Sequence, residues 1–237
     1  MREAGRLTAR ALRSVGEAIR PGISTLELDA VAESVIRDAG AVPAFKGFHG
    51  FPGTICASLN HEVVHGIPSK RTRLREGDIL SVDCGAIIDG YFGDSAVTFP
   101  VGEITPDAKH LLDATKRSLE AGIARCHAGM RLYDISNAVQ TVAEAEGFSV
   151  VREYVGHGIG RTMHEDPQIP NYGPAGQGPA LKVGMVFAIE PMINAGEAAV
   201  YSLDDGWTVV TQDGQISAHF EHTVALTEDG PVVLTVE

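Results

Sequence analysis

Cysteine is scarce in this chain, and its three cysteines do not form a recognisable pair. No Cys-x-x-Cys spacing occurs among Cys56, Cys84 and Cys126, and an odd number of cysteines argues against a disulfide framework. A reducing cytoplasm is therefore the expected compartment. The chain also lacks any apolar run near the roughly 20 residues of a membrane span. Its charged N-terminus has no apolar core of the signal-peptide kind, so we expect no membrane association.

Positive charge is also in short supply. The 237 residues include 19 Lys and Arg against 31 Asp and Glu, a formal net charge of −12. A general nucleic-acid binder usually presents a basic stripe, so we expect no direct nucleic-acid binding. The 44% hydrophobic and 21% charged content is that of an ordinary globular protein. The length suits one large domain or two small ones.

Helical patterns occur in two pairs. Apolar spacing predicts a helix over residues 2–20 and a second from Ser24 to Gly40, where Ser24 and Glu27 form a capping-box pattern. A third is predicted from Pro106 to about residue 126 and a fourth between residues 129 and 147. Each pair is followed by short strands and turns, which indicates an α+β protein.

Two Asp-Gly dipeptides predict β-hairpins. Asp89-Gly90 separates "DILSVDCGAII" from "YFGDSAVTF", and Asp213-Gly214 divides "WTVVTQDGQISAHFEHTVAL". In the first hairpin, pairing Ile88 with Tyr91 puts Asp94 opposite Gly85. Asp83 then lies on the same face as Asp94, as a diagonal neighbour.

A single offset of 107 residues relates the two parts of the chain. It aligns Gly22 with Gly129, Gly40 with Gly147, Leu74 with Leu181, Gly77 with Gly184, and Asp83 with Glu190. The segment "FEHTVAL" resembles "GDSAVTF", which makes Glu221 the counterpart of Asp94. We therefore expect one domain over residues 1–237, with halves of about 1–104 and 105–237 related by a pseudo-twofold axis.

Four acids are thus expected to converge without a basic partner: Asp83, Asp94, Glu190 and Glu221. Buried like charges repel and are costly to desolvate, and the first hairpin contains no Lys or Arg to neutralise them. The alternative is four unrelated acids, some on exposed faces. Two divalent metal ions would resolve the repulsion, and a mostly oxygen ligand set suits Co, Mn, Fe or Zn.

Three of the nine histidines stand in informative contexts. His157, between glycines in "GHGIG", is either a nitrogen ligand or a turn histidine bonded to backbone. His65, in "VVHGIP", and His164, in "RTMHEDP", are candidates for proton transfer or for donating a hydrogen bond to substrate, or are structural.

Four segments, "SVDCGAIIDGYFGDSAVTF", "GHGIGRTMHEDPQIPNYG", "VFAIEPM" and "HFEHTVAL", together resemble the type 1 methionine aminopeptidases. The resemblance extends over nearly the whole chain. It implies the pita-bread α+β fold, with two α/β halves around an antiparallel sheet, and a dinuclear metal site. It assigns five residues as metal ligands: Asp83, Asp94, His157, Glu190 and Glu221. It also makes His65, His164 and Glu190 the expected catalytic groups, with both histidines contacting substrate.

The same resemblance implies an apolar methionine pocket, for which this chain offers Phe45, Phe48, Phe51, Cys56 and Trp207. Pairing in the second predicted hairpin would put Trp207 on the face opposite Glu221, which argues against its pocket role unless a bulge intervenes. Met163 stands where many bacterial relatives have Phe.

The expected activity is removal of the N-terminal methionine from nascent chains with a small second residue, by a monomeric enzyme, with ribosome contact left open. One alternative is a proline-selective peptidase of the same fold, of the aminopeptidase P or prolidase type. Such enzymes usually carry an additional N-terminal domain. A second alternative is a non-catalytic binding module, which would tend to have lost ligands.

Overall fold

The computed structural model describes all residues from 1 to 237 and contains four helices and fifteen strands. The first 104 residues carry helices α1 (Arg2–Ala18) and α2 (Thr25–Asp38) and strands β1 (Val42–Pro43), β2 (Ile55–Leu59), β3 (Glu62–Val64), β4 (Ile79–Ile88) and β5 (Tyr91–Pro100). A short 3-10 turn lies at Phe48–Gly50.

Residues 105–237 carry the other two helices and ten strands: α3 (Pro106–Ile123), α4 (Leu132–Ala145), β6 (Ser149–Val150), β7 (Gly156–Gly158), β8 (Glu165–Ile169), β9 (Val186–Ile189), β10 (Met192–Asn194), β11 (Val200–Ser202), β12 (Val209–Thr211), β13 (Ser217–His219), β14 (His222–Thr227) and β15 (Gly230–Val233). None of the helices has the length and apolar character needed to traverse a bilayer.

The predicted helix starts depend on local capping. The Ser24 amide donates to the Glu27 carboxylate at 2.9 Å, and the Glu27 amide donates to the Ser24 hydroxyl, so the capping box of α2 is confirmed. Thr105 caps α3 by accepting from the Ala108 amide at 3.2 Å, with Pro106 at the first helical position. These side chains satisfy amides that have no partner inside the helix.

All strand pairs are antiparallel. One sheet has the order β1-β4-β2, with β5 on the other side of β4 in a long hairpin. A five-stranded sheet has the order β15-β14-β9-β7-β8. Two three-stranded sheets, β13-β10-β6 and β11-β12-β3, complete the structure.

The 107-residue offset is visible in the hydrogen bonds. Helices α2 and α4 begin and end 107 residues apart, as do β1 and β6. The Gly22 amide donates to the Leu74 carbonyl at 2.7 Å, and the Gly129 amide donates to the Leu181 carbonyl at 2.9 Å. Both glycines have φ near +89°, where other residues are strained. The single-domain assignment and the boundary near residue 104 remain predictions.

The second predicted hairpin is wrong. The turn at Asp213-Gly214 exists, but β12 pairs with β11 and β3, while β13 pairs with β10. The reason is the β2–β3 turn, which lies between the two strands. The Thr211 amide donates to the His61 carbonyl at 3.0 Å, and the Ser217 amide donates to the Asn60 carbonyl at 2.9 Å. Each strand therefore bonds to this turn instead of to the other strand.

The helices cover the outer faces of the sheets. One apolar core packs α1 and α2 against β4 and β2, and two others involve α3 and α4 with the sheets of residues 105–237. A separate apolar cluster contains Phe45, Phe51, Cys56, Ile159 and Met163, with Phe48 and Trp207 packed against it. This fourth cluster borders the cavity described next.

Candidate metal centre

The first hairpin has the predicted register. Asp94 lies opposite Gly85 and Asp83 opposite Ala96, so the two carboxylates share one face as diagonal neighbours. Gly85 is required by close packing, because a Cβ there would lie 2.9 Å from Ala44 Cβ and 3.0 Å from a Phe45 ring carbon. The bare glycine leaves room for Phe45 beside the two acids.

In residues 105–237, the strands that correspond to β4 and β5 are each interrupted at the position of an acid, Glu190 or Glu221. Strand β9 pairs with β14, with Ile189 opposite His222, and β10 pairs with β13, with Met192 opposite His219. The two registers are continuous, so Glu221 lies opposite Glu190. Met192 is the 107-residue counterpart of Gly85. His219, not Glu221, therefore occupies the position equivalent to Asp94, and the alignment of "FEHTVAL" with "GDSAVTF" is wrong by two residues.

His157 faces the acids through one ring nitrogen. Its Nδ1 lies 2.9 Å from the Gly158 carbonyl, an acceptor, so Nδ1 carries the proton and Nε2 keeps a free lone pair. Nε2 lies 3.5 Å from Glu190 Oε1 and 3.8 Å from Asp94 Oδ2. Burial lowers the pKa of His157 to about 4, so the ring is neutral at neutral pH. The hydrogen bond from His157 to the backbone is therefore compatible with metal binding, because it fixes the tautomer whose Nε2 lone pair a metal ion needs.

The four acids lack compensating charge. Burial, followed by the neighbouring carboxylates, raises the pKa of Asp83, Glu190 and Glu221 well above the ordinary range, and burial also raises that of Asp94. Three oxygens have no hydrogen-bond partner: Asp83 Oδ1, Asp94 Oδ1 and Glu221 Oε1. No Lys or Arg lines the cavity around them.

This donor set fits divalent metal. Ligand atoms of Asp94, His157 and Glu221 lie within 4.8 Å of one another, and all of them are acceptors, because the His157 ring proton is on Nδ1. Buried acceptors without donors are stable only when a cation or protons neutralise them. Oxygen donors with a single imidazole suit Mn, Fe, Co or Zn.

The acids lie in a cavity of about 270 Å³. It is lined by all twelve site residues predicted from the sequence: Phe45, Phe48, Phe51, Cys56, His65, Asp83, Asp94, His157, His164, Glu190, Trp207 and Glu221. One end is polar, and the other is the apolar cluster around Phe45 and Phe51. Cys56 lies opposite Asp83, and burial raises the pKa of its thiol well above the ordinary value, which disfavours a thiolate at this position.

Two further histidines stand at the sides of the cavity. The His164 ring lies 4.4 Å from that of His157 and 5.5 Å from that of Phe48, and it is exposed at the cavity mouth. His65 contacts the rings of Tyr154 and Trp207 edge-on, at 5.7 and 6.5 Å. Burial lowers the pKa of His65 to about 4 and also lowers that of His164, so each is a neutral imidazole with one N–H to donate.

Trp207 lines the cavity in spite of the face expected from hairpin pairing. It precedes β12, which is not paired with β13, and the β12–β3 register shifts at Val209. Its ring meets that of Phe51 at 5.1 Å in a T-shaped arrangement. The hairpin pairing on which the objection to Trp207 depended is thus absent, and the pocket role of Trp207 stays a prediction.

The cavity also contains residues that the sequence did not indicate, chiefly Tyr154, Met192 and His219. His219 stands two residues before Glu221, a strand spacing that puts both on one face, but the mistaken alignment concealed this signal. His49 and Met163 also line the cavity.

Comparison with known proteins bears on the class of this chain. A model of metallopeptidase family M24 matches residues 1–228. Methionine aminopeptidase 1 of Bacillus subtilis is 57% identical over 235 residues, covering 99% of this chain and 94% of that protein. The crystal structure of methionine aminopeptidase from Thermotoga maritima has a TM-score of 0.99 at 47% identity, covering 100% of this chain and 95% of that one. A prolidase from Pyrococcus furiosus has a TM-score of 0.81 at 23% identity, covering 100% of this chain and 62% of that one, which shows the fold alone.

An antiparallel α+β fold with repeated halves around a buried acidic cavity defines a metallopeptidase of the pita-bread type. The chain belongs to metallopeptidase family M24. The expected fold class, the enzymatic class and the resemblance to the type 1 methionine aminopeptidases are thereby confirmed.

Proposed function

We propose that this protein is a methionine aminopeptidase, which removes the N-terminal methionine from peptides with a small second residue. The observation that carries the proposal is 57% identity over 99% of the chain to a protein of that name. Supporting it is a cavity of about 270 Å³ with an apolar end and an acidic end. Pockets for drug-sized ligands span about 300–1,000 Å³, so this one suits a single amino-acid residue.

Five residues would hold two divalent ions: Asp83, Asp94, His157, Glu190 and Glu221. Support comes from the unpartnered oxygens of Asp83, Asp94 and Glu221 and from the free Nε2 of His157. Such ions, when bound, lower the pKa of water and stabilise negative charge on oxygen. The bridging capacity of several carboxylates favours two ions over one.

The remaining chemistry falls to side chains around the acids. Glu190 is the acid that lies between two imidazoles, and it is the group we assign to accept and return the proton. His164, neutral and exposed at the mouth, donates its N–H to the oxygen of the first peptide bond. His65, held edge-on between Tyr154 and Trp207, contacts the substrate amide.

Selectivity for methionine is assigned to the apolar end of the cavity. Phe45, Phe51 and Cys56 are buried there, and Phe48 and Trp207 pack against them. An apolar wall favours an unbranched thioether side chain and discriminates by about 1–3 kcal/mol per methylene. The free α-amino group would bind at the opposite end, beside the ions that the acids hold, so only one residue fits on the amino side and only the first residue is removed.

The cellular setting is a proposal of the same kind. Nascent polypeptide N-termini are the proposed partners, in the cytoplasm, with a monomeric enzyme and with ribosome contact as a separate question. Three free, buried cysteines accord with a reducing compartment. Light scattering of the purified protein tests the monomer, and co-sedimentation with ribosomes tests the contact.

A peptide-hydrolysis assay tests the activity. Protein stripped of metal is supplied separately with Co, Mn, Fe(II) and Zn and given Met-Ala-Ser, Gly-Pro or an Xaa-Pro-Xaa peptide. We expect metal-dependent cleavage of Met-Ala-Ser only. Cleavage of the proline peptides instead would replace the proposal with the prolidase alternative. Metal binding without turnover of any peptide would favour a binding module.

Variants test the assigned roles. Glu190→Ala and His164→Ala should each reduce turnover at least 100-fold, while His61→Ala, an exposed histidine outside the cavity, should not. Near-normal turnover of Met-Ala-Ser by either of the first two variants would remove that residue from the mechanism.

A further inference from the structure

His219 occupies a position that the pseudo-twofold arrangement makes significant. Asp94 lies opposite Gly85 and is a diagonal neighbour of Asp83. In the other part of the chain, His219 lies opposite Met192 and is in the same way a diagonal neighbour of Glu190. A residue at this position on the sheet points at the acid beside it. In one half the pair is two carboxylates, and in the other it is a carboxylate and an imidazole.

The backbone of His219 is held firmly. Its amide donates to the Thr98 hydroxyl at 2.8 Å, and the same hydroxyl donates to its carbonyl at 2.9 Å. Thr98 lies on β5, so these bonds join β13 to the first hairpin. The His219 side chain is thereby directed from a rigid element.

The ring nitrogen Nε2 of His219 is buried and has no hydrogen-bond partner. The residue is 1% exposed, and Nε2 lies 3.8 Å from Glu190 Oε2. A buried ring nitrogen without a partner is unfavourable in either tautomer. A side-chain adjustment of about 1 Å would bring the two atoms to the hydrogen-bond distance of about 2.9 Å.

His157 cannot supply this donor to Glu190. Its ring proton is on Nδ1, which bonds to the Gly158 carbonyl, and its Nε2 offers only a lone pair to Glu190 Oε1 at 3.5 Å. Glu190 thus has an acceptor on one side and an imidazole able to donate on the other. No Lys or Arg lines the cavity to compete for this place.

We propose that His219 is a positioning residue that donates its Nε2–H to Glu190 Oε2 and so sets the orientation of that carboxylate. The held Oε2 leaves Oε1 free toward His157 and the other acids. The inference rests on the proposed function, since it gives Glu190 a fixed direction for the metal and proton roles assigned above. Hydrogen bonds of this kind to a ligand carboxylate generally change metal affinity or activity by 10–100-fold when removed.

Two substitutions separate donation from mere packing. His219→Gln keeps an N–H donor at a similar reach, whereas His219→Leu keeps bulk and removes the donor. His61→Leu, at an exposed histidine outside the cavity, is the matched control. Each protein is stripped of metal and titrated calorimetrically with Co(II). The visible absorption of bound Co(II) and kcat and KM for Met-Ala-Ser are then measured.

We expect His219→Leu to bind Co(II) 10–100-fold more weakly and to lose kcat by a similar factor, with KM little changed. His219→Gln should stay within about threefold of the wild type in both properties and keep its absorption spectrum. The melting temperature of each metal-free variant shows whether it is folded. If His219→Leu is not folded, the Co(II) affinity, kcat and absorption spectrum of His219→Gln test the proposal.

Three results would overturn the proposal. Wild-type affinity and turnover in a folded His219→Leu variant would show that the donor is unimportant. A glutamine variant as weak as the leucine variant would show the same of the N–H. A changed Co(II) spectrum in the glutamine variant would indicate direct coordination by the imidazole instead. Failure of the proposed function is distinct, because wild-type protein would then bind Co(II) without cleaving Met-Ala-Ser.

Discussion

Replacing Glu221 by Gln should stabilise the metal-free protein and destroy its response to metal. Glu221 is 2% exposed, its Oε1 has no partner, and three other acids face the same cavity. Glutamine has the same shape, carries no charge and can donate to a neighbouring carboxylate. The substitution therefore removes repulsion without creating a void.

The size of the effect follows from the spacing of the acids. Ligand atoms of Asp94 and Glu221 lie within 4.8 Å, where two unit charges repel by about 3 kcal/mol at an effective dielectric constant of about 20. Partial protonation relieves some of this repulsion in the wild type. We therefore expect the free energy of unfolding of metal-free Glu221→Gln to exceed that of the wild type by about 1–3 kcal/mol.

Metal should reverse the order of stability. An ion present at 1,000 times its dissociation constant stabilises the folded wild type by about 4.1 kcal/mol, which exceeds the whole of this difference. Glu221→Gln, with a proposed ligand removed, should gain little. Urea unfolding at neutral pH, with EDTA or with Co(II), measures both differences. Glu228→Gln, an exposed acid in the turn after β14, is the control and should follow the wild type throughout.

Two outcomes would refute this reasoning. A metal-free Glu221→Gln variant within about 0.5 kcal/mol of the wild type would mean that the acids do not repel as their geometry implies. A variant that gains as much stability from Co(II) as the wild type would mean that Glu221 does not hold the ion.

Three further predictions concern residues around the cavity and in the core. The Glu165 carboxylate accepts hydrogen bonds from the amides of Arg161 at 2.8 Å and Thr162 at 3.0 Å. Glu165→Ala should therefore loosen the turn that carries His164 and lower kcat/KM about tenfold, or 1.4 kcal/mol, whereas Glu165→Gln should not. Equal kcat/KM values for the two variants would contradict this prediction. Burial raises the pKa of the Asp29 carboxyl above 3.8, so the folded protein binds a proton at Asp29 more tightly than the unfolded chain does. The stability that this proton contributes is present at low pH and is lost as the pH rises through the pKa of the folded state. In urea unfolding from pH 4 to 7, Asp29→Asn should accordingly lose less stability than the wild type, and parallel curves would refute the assignment. Met163→Ala should widen the apolar wall and reduce the preference for Met-Ala-Ser over Leu-Ala-Ser about tenfold in kcat/KM, and an unchanged ratio would place Met163 outside the pocket.

The first hairpin was predictable in register because its signals are local. An Asp-Gly turn joins two uninterrupted ten-residue strands, and strand periodicity then determines that Asp83 and Asp94 share a face. The helix caps at Ser24 and Thr105 are equally local. The repeat offset extended these signals to Glu190 without any knowledge of contacts.

The corresponding strands of the other half were not predictable because their pairing is not local. Glu190-Pro191 interrupts β9 and β10, since proline has no amide for a ladder bond, and the partner strands lie beyond residues 195–216. Similar letters in "FEHTVAL" and "GDSAVTF" suggested a register that is wrong by two residues. Only the hydrogen-bonded pairs show that His219 matches Asp94 in position.

The duplicated fold therefore carries unlike side chains at equivalent places. The first hairpin contributes two aspartates, which hold charge but lack a nearby proton donor. The other half contributes two carboxylates, Glu190 and Glu221, together with two imidazoles, His157 and His219. Because equivalent positions on a pseudo-twofold frame have been filled with an acid on one side and an imidazole on the other, the two ends of the acidic cluster differ in chemistry. The acidic cluster is therefore asymmetric. Glu190, to which we assign the proton transfer, lies beside His157, and the His157 ring contacts that of His164.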